Sequence, residues 1–363
     1  MTTASREAGH LTSDAGARRP GVLRAMVRLG RVKFLLQSTS VVGAGSAVAV
    51  AGSGRFSLRW YLLVLLFAWL GHLMTHYCNE YFDLEADRAN AAPTSWTGGS
   101  RVLVEGLLAP QVSLATAFVL LFGALGVGVA LPTLGQRLVA VAVLAVSWFY
   151  TAPPLRLNYH ALGETACATV LYALVPLLAF LAQAAPVTST LLTYLGIVFT
   201  LQILRCLIMN LPDIPGDRCV GKTTLAGLLG PARILRAYAG GHVVVYTAVT
   251  VALARDVLPP VTGGALLATL PVPVWVVLRL RHRAITDQRT AELVTFWASM
   301  VLPLSSCAVI IGMTLSAALY RPVPAPWWAV AAATLVVFTT WLAQTVTATL
   351  RRRSRTGHEG AAA

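Results

Sequence analysis

Apolar residues in this chain run in long unbroken blocks, and polar residues gather between them. Ten blocks stand out, at 33–52, 59–79, 112–131, 134–151, 162–183, 188–209, 232–254, 257–279, 292–318 and 325–349. Each is near the length of about 20 residues that crosses a hydrocarbon core as helix. A membrane barrel would show short segments alternating at every second residue instead. The pattern predicts an all-α polytopic membrane protein, with ten spans and the lipid bilayer as its surroundings. Residues 1–32 are polar and Arg-rich with no apolar centre, so they read as a flexible basic tail and not as a cleavable signal peptide. The main transmembrane domain covers 33–320. The Pro-rich turn Arg321-Pro-Val-Pro-Ala-Pro326 sets off an additional C-terminal helix within 321–350, and 351–363 reads as a second flexible basic tail.

Charge decides the orientation. Only 12% of residues are charged, against roughly 25% in soluble domains, yet the formal net charge is +14. With the N-terminal tail in the cytoplasm and the spans alternating, 22 basic residues fall on the cytoplasmic side and five on the other. That asymmetry is the positive-inside pattern. It accounts for the excess of base without a nucleic-acid partner. Both termini come out on the cytoplasmic side of what reads as a prokaryotic cytoplasmic membrane. The five cysteines are scattered and contain no C-x-x-C, so they predict neither a disulfide framework nor a zinc site.

Acidic residues are scarce, fourteen in all, and four of them sit in Asn79-Glu-Tyr-Phe-Asp83-Leu-Glu-Ala-Asp87. A second stretch, Asn210-Leu-Pro-Asp213-Ile-Pro-Gly-Asp217-Arg218, repeats the pattern D-x-x-x-D-R, and both fall at the cytoplasmic ends of their spans. On a helix Asn79, Asp83 and Asp87 share one face at i, i+4 and i+8, as do Asp213 and Asp217 at i, i+4. Carboxylates converging from two helices need a counter-charge. Mg²⁺ is the natural one, since it takes one or two carboxylates together with substrate phosphate oxygens, and Asn79 adds a neutral oxygen. A faint internal repeat accompanies the motifs: Glu105-Gly-Leu-Leu-Ala-Pro110 follows the first and Ala226-Gly-Leu-Leu-Gly-Pro231 the second.

Basic residues flank the motifs on the same predicted face. Arg101 and Lys222, with Arg156 after the fourth span, are candidates to hold diphosphate oxygens not taken by metal. Arg88 and Arg218 beside the aspartates, and Arg205 inside an apolar block, are further candidates. Asp83, Asp213, Arg156 and Tyr150 are the candidate catalytic residues, Tyr150 through a π face able to stabilise a carbocation. His72 and His76 share the face of Asn79. Glu164 opens the fifth span, where a carboxylate also suits a helix N-terminus. The literal match of Gly216–Thr223 to G-x-x-x-x-G-K-[ST] follows a membrane helix and not a strand, so it does not read as a nucleotide loop.

The paired motifs resemble those of the UbiA superfamily of intramembrane prenyltransferases. The segment Phe149-Tyr-Thr-Ala-Pro-Pro-Leu-Arg-Leu-Asn-Tyr-His-Ala-Leu-Gly-Glu164 resembles that family's connection between its fourth and fifth helices. Asp213-Ile-Pro-Gly-Asp-Arg-Cys-Val-Gly-Lys-Thr-Thr-Leu-Ala226 is similar to the MenA branch, which prenylates dihydroxynaphthoate. The resemblance implies a bundle of nine helices around a central cavity open to lipid, so the tenth span departs from it. It implies two Mg²⁺ ions held by Asn79, Asp83, Asp87, Asp213 and Asp217. It also implies a polyprenyl diphosphate donor and an aromatic acceptor, a quinone precursor or a specialised metabolite. A terpene cyclase without acceptor is the alternative on the same scaffold. A cation-coupled transporter suits repeats and membrane acids as well, though here the acids lie at one membrane face.

Overall fold

The computed structural model describes residues 21–90, 93–94, 96–281 and 288–359. A short amphipathic helix α1 (Val22–Leu29) leads through a 3₁₀ turn at Val32–Phe34 into α2 (Leu35–Ser53). Then come α3 (Leu58–Phe82), α4 (Leu84–Ala89), α5 (Pro110–Val129), α6 (Leu134–Phe149) and α7 (Gly163–Thr169). A π turn at Val170–Leu174 joins α7 to α8 (Val175–Ala182), and α9 (Ser189–Met209) follows. The remaining helices are α10 (Ile214–Cys219), α11 (Leu225–Leu229), α12 (Pro231–Ala254), α13 (Pro260–Leu267), α14 (Pro271–Arg281), α15 (Gln288–Tyr320) and α16 (Ala325–Glu359). No named strand occurs among the described residues.

Among the described residues nine helical stretches are long and apolar enough to cross a membrane, and α6 is a shorter apolar helix. At 16 residues α6 is about 24 Å long. All ten predicted spans therefore correspond to helices, one of them shorter than drawn. Local chemistry sets many of the starts. Pro occupies the first turn of α5, α12 and α13, where its missing N–H costs nothing. Thr133 and Gln136 close a capping box at α6. Pro176 explains the π turn: it lacks the N–H that a regular α7–α8 helix needs there, and the wider turn admits its ring.

Two expectations change. The segment before residue 33 is helical from Val22, with Ala25 and Leu29 buried and Tyr77 Oη donating to the Met26 carbonyl at 2.8 Å. Its basic side chains had suggested a flexible tail, but they sit on the opposite face of an amphipathic helix. Helix α16 continues to Glu359, past the predicted start of the second tail. Residues 1–20 and 360–363 of those tails lie outside the described residues.

Helices α2 and α15 form the centre: 78% and 83% of their apolar windows are buried, against 17% for α16. Small residues let α2 sit there. A methyl group at Gly45 would lie 2.3 Å from the Pro176 carbonyl oxygen, so α2 and α8 meet backbone to backbone. Helix α16 is peripheral and held by Trp327, whose buried indole donates to Thr314 Oγ1 at 2.9 Å.

Gly45→Val is expected to force α2 from α8, destabilising the fold by about 1–3 kcal/mol or more. Gly52→Val, which meets open space, should be neutral. Thermal midpoints and size-exclusion profiles of the two variants in detergent check this.

Candidate active site

The site is built where α3 and α9 end. Helix α3 stops at Asp83, yet the Asp83 amide still donates to Asn79 O at 2.8 Å and the Asp87 amide to Asp83 O at 2.9 Å. The helical register survives the break, and Asn79, Asp83 and Asp87 face one cavity as their spacing predicted. Glu80 and Glu85, on other faces, do not. Glu80 is instead a buried anchor that accepts from Ser100 N and Oγ, at 2.5 and 2.7 Å, and pairs with Arg31 at 3.1 Å. Asp213 and Asp217 reach the same cavity from the turn after α9 and from α10. Helix α10 also holds Gly216 of the would-be nucleotide loop.

Lys222 lies between the motifs. Its Nζ is 2.9 Å from Asp83 Oδ2 and 3.3 Å from Asp217 Oδ1. Gly221 adopts φ +70°, a conformation that favours glycine, and Lys222 N donates back to Asp217 O. The neighbouring loop then fixes the segment: Ala161 N donates to Thr223 O at 2.7 Å, and Thr223 N to Tyr159 O at 3.2 Å. Two amides complete the ties. Asn158 donates to both oxygens of Asp83 at 3.3 Å, and Asn90 donates to Asp213 Oδ1 at 2.8 Å. Asn90 belongs to the first motif's tail and Lys222 to the second's, so each motif is braced from the other. Glu164, buried at the start of α7, accepts from Asn210 Nδ2 at 2.9 Å and Ala226 N at 3.2 Å.

Burial sets the electrostatics. It raises the Asp87 carboxyl to about 8, with Glu80 and Asp83 adding to the effect. Burial likewise raises Asp213 to about 7, helped by Asp217. Burial opposes the charge on Lys222, but Asp83 and Asp217 outweigh it and hold the ammonium well above its usual range. Tyr159 is pushed up to about 12 by burial and then by Asp83.

The cavity is about 250 Å³ and graded along its length. The acidic cluster and Lys222 lie at one end, with Arg31 and the Gly98–Gly99 turn. Val143, Val146, Val170, Leu171 and Val175 supply aliphatic wall, and Tyr150, His72, His76 and Arg205 also line it. A Cβ at Gly99 would fall 2.2 Å from Asp87 Oδ2, so only glycine lets the backbone come this close. The other basic candidates stand elsewhere. Arg101 donates to the Asp87 carbonyl, and Arg156 stacks over Tyr159 at 3.7 Å; neither lines the cavity. Arg88 and Arg218 are exposed outside it, Arg218 reaching the Gly227 carbonyl at 3.4 Å. The reason is helical geometry: each follows an inward aspartate by one position and is turned about 100° away.

A divalent cation fits this donor set. Asn79 Oδ1 is buried with no hydrogen-bond partner, and carboxylate and amide oxygens are the hard ligands Mg²⁺ takes. Among the described residues no three His, Cys, Asp or Glu groups already converge as a metal cage; Lys222 stands between Asp83 and Asp217.

With fold and site in view, the comparisons are direct. The model of the UbiA prenyltransferase family matches residues 39–300. This chain belongs to the UbiA prenyltransferase family. The chain is 27% identical over 244 residues to a homogentisate geranylgeranyltransferase of Triticum aestivum, covering 64% of the chain and 57% of that protein. It is 28% identical over 216 residues to a digeranylgeranylglyceryl phosphate synthase of Halobacterium salinarum, covering 58% of the chain and 71% of that protein. The chain thus spans about half the length of the plant relatives it matches. A UbiA homolog from Archaeoglobus fulgidus, solved bound to DMAPP and Mg²⁺, shares the fold with a TM-score of 0.57 at 16% identity, over 77% of this chain and 99% of that one. Family membership and the nine membrane-length apolar helices among the described residues make this a multi-pass membrane protein.

The raised carboxyl groups give a pH test. Asp87 and Asp213 keep their protons in the folded state at pH values where the unfolded chain has released them, so stability falls from near their ordinary range, about 4, up to about 8 and then levels off. The thermal midpoint of metal-free protein should fall between about pH 4 and about pH 8 and level off above that, and Asp87→Asn should flatten that fall. Asp256→Asn, at an exposed turn, should leave it unchanged.

Proposed function

We propose that this chain is a Mg²⁺-dependent intramembrane prenyltransferase that moves a prenyl group from its diphosphate to an aromatic acceptor. One observation carries the reading: both aspartate motifs and Lys222 close one end of a cavity whose walls also carry a run of aliphatic side chains, Val143, Val146, Val170, Leu171 and Val175. Such a cavity complements a molecule with a highly charged head and a hydrocarbon tail. The relatives' names support a prenyl diphosphate donor, as does the DMAPP and Mg²⁺ reported with the A. fulgidus homolog.

Asn79, Asp83 and Asp87, with Asp213 and Asp217, would hold two Mg²⁺ ions. Bound there, Mg²⁺ would neutralise the charge that develops on the departing pyrophosphate. Lys222 and Arg31 line the same end and are the residues we assign to diphosphate oxygens. The C1–O bond breaks with its electron pair leaving on pyrophosphate. A ring carbon of the acceptor supplies the pair for the new bond, and that carbon's proton is lost to a base at the acidic end. Tyr150 lines the cavity and would present its ring to the cation. The aliphatic walls exclude water from the allylic cation. Arg156 serves indirectly: its stacking on Tyr159 steadies the loop whose backbone holds Thr223 and hence Lys222. Arg101 steadies the Asp87 backbone in the same way. Arg88 and Arg218 have no assigned role in binding.

The acceptor is a hydroxylated aromatic ring. The homogentisate enzymes among the relatives support that class, and the second motif's resemblance to the MenA branch supports a dihydroxynaphthoate within it. The basic asymmetry supports a cytoplasmic location for the acidic end and both termini. The charged end at one face of the bundle favours this reading over a transporter.

Asp83→Ala and Asp213→Ala are expected to lower pyrophosphate release from geranyl diphosphate by about 10³-fold or more per folded molecule, measured on the monodisperse fraction of each variant. Full release in either variant refutes the assignment. Cyclic product formed from prenyl diphosphate and Mg²⁺ alone would replace transfer with cyclisation.

A further inference from the structure

Arg205 is the buried cation that the acidic cluster leaves unused. It sits in α9, is only 8% exposed, and lines the cavity. Its Nε donates to Ser299 Oγ at 3.1 Å and its Nη1 to Gln202 Oε1 at 3.3 Å. Both partners are neutral. Among the described residues no carboxylate pairs with it. Gln202 is itself fixed, since its amide nitrogen donates to Cys167 and Cys206 Sγ at 3.0 and 3.4 Å. Across the cavity His72, tied to Ser38 at 2.6 Å, lies within electrostatic reach of the guanidinium.

An unpaired charge inside a membrane bundle is costly and marks a function. Lys222 shows how this protein treats a buried cation it means to neutralise, placing it between two carboxylates. Arg205 donates hydrogen bonds that orient it and meets no charge that cancels its own. The diphosphate end does not supply that charge. Asn210 is five residues further along α9, about 7.5 Å up the helix axis, and the aspartates lie beyond it. The cavity at Arg205 is inward of the donor's head.

We propose that Arg205 selects the acceptor by binding an anionic group on it, a carboxylate, which the planar guanidinium fork engages through two hydrogen bonds. This rests on the prenyltransferase reading. Anchored there, an aromatic carboxylate is held inward while its ring points to the acidic end, where the allylic carbon of the donor forms. Arg205 thus sets both which acceptors enter and which ring face is alkylated.

The test uses the full chain in lipid nanodiscs. Equilibrium binding of homogentisate is compared with that of methylhydroquinone, the same ring without the carboxylate, and with phenyl phosphate. Wild type, Arg205→Lys and Arg205→Gln are each measured, with geranyl diphosphate binding in parallel. Wild type should prefer homogentisate to methylhydroquinone by about tenfold or more. Arg205→Gln should lose that preference, and Arg205→Lys should retain part of it, which also separates lost charge from lost folding. Geranyl diphosphate affinity should shift by less than about twofold in either variant. An undiminished preference in Arg205→Gln overturns the proposal, and so does an equal loss of geranyl diphosphate binding. Tighter binding of phenyl phosphate than homogentisate overturns the carboxylate in favour of a phosphate-bearing acceptor. Wild type that binds homogentisate through Arg205 but no geranyl diphosphate would instead sink the prenyltransferase reading alone.

Discussion

Negative charge buried at the end of an apolar cavity has to be balanced, and the ammonium of Lys222 between Asp83 and Asp217 does much of it. Removing one partner of such a buried pair generally costs several kcal/mol, because the other is left uncompensated. Much of the local structure serves to put that ammonium there. Gly221 makes the turn, Asp217 O accepts the Lys222 amide, and the loop carrying Tyr159 and Ala161 pairs with Thr223 on its far side. Tyr159 then lies 5.7 Å from the ammonium and beneath Arg156. A loop between two spans and the tail of a motif some 60 residues later are thereby made one unit.

The same accounting organises the rest of the cavity. Amides from Asn90 and Asn158 satisfy Asp213 and Asp83 without adding charge. Glu80 and Glu164 are withdrawn from the cavity and spent on bracing loops. Inward of the cluster aliphatic side chains join polar ones in the walls, and backbone there must stay satisfied. The π turn at Val170–Leu174 does this while accommodating Pro176, and α8 beyond it meets α2 at Gly45 with no side chain between. Close backbone packing at the core and charge balance at its end are thus joined through one helix.

Much of this was legible in the chain. Long apolar blocks located every span because the bilayer imposes length and composition together. The i, i+4, i+8 spacing placed Asn79, Asp83 and Asp87 on one face because the helix barely breaks at Asp83. Reasoning by neighbourhood in sequence did less well. Arg88 and Arg218 adjoin aspartates in the chain but turn away from them on the helix. Asn158, Asn90 and Arg31 carried no pattern, since their roles come from loops meeting in space. The two glycines at 98 and 99 did carry a signal: consecutive positive φ values there bring backbone against Asp87. The amphipathic helix before residue 33 was hidden by its own arginines, which read as a tail until their helical phase is drawn.

The bracing of the two motifs is reciprocal but unequal, and the inequality has chemical content. The first motif's tail offers the second an amide, Asn90 to Asp213, while the second offers the first an ammonium, Lys222 to Asp83. Lys222 also takes Asp217. Asp87 and Asp213 make no ion pair among the described residues, and burial raises their carboxyl groups to about 8 and about 7; burial raises Asp217 as well, against the pull of Lys222. Near neutral pH this site therefore balances its charge with one lysine and with protons. An entering divalent ion meets Asp87, Asp213 and the unpartnered Asn79 Oδ1 as the groups least committed elsewhere. At Asp87 and Asp213 it competes with protons, while at Asp83 and Asp217 it would displace Lys222. The lysine released from those carboxylates would then hold what the ion brings with it, so a pair of similar motifs yields acidic groups for cations and one basic residue for the anion between them.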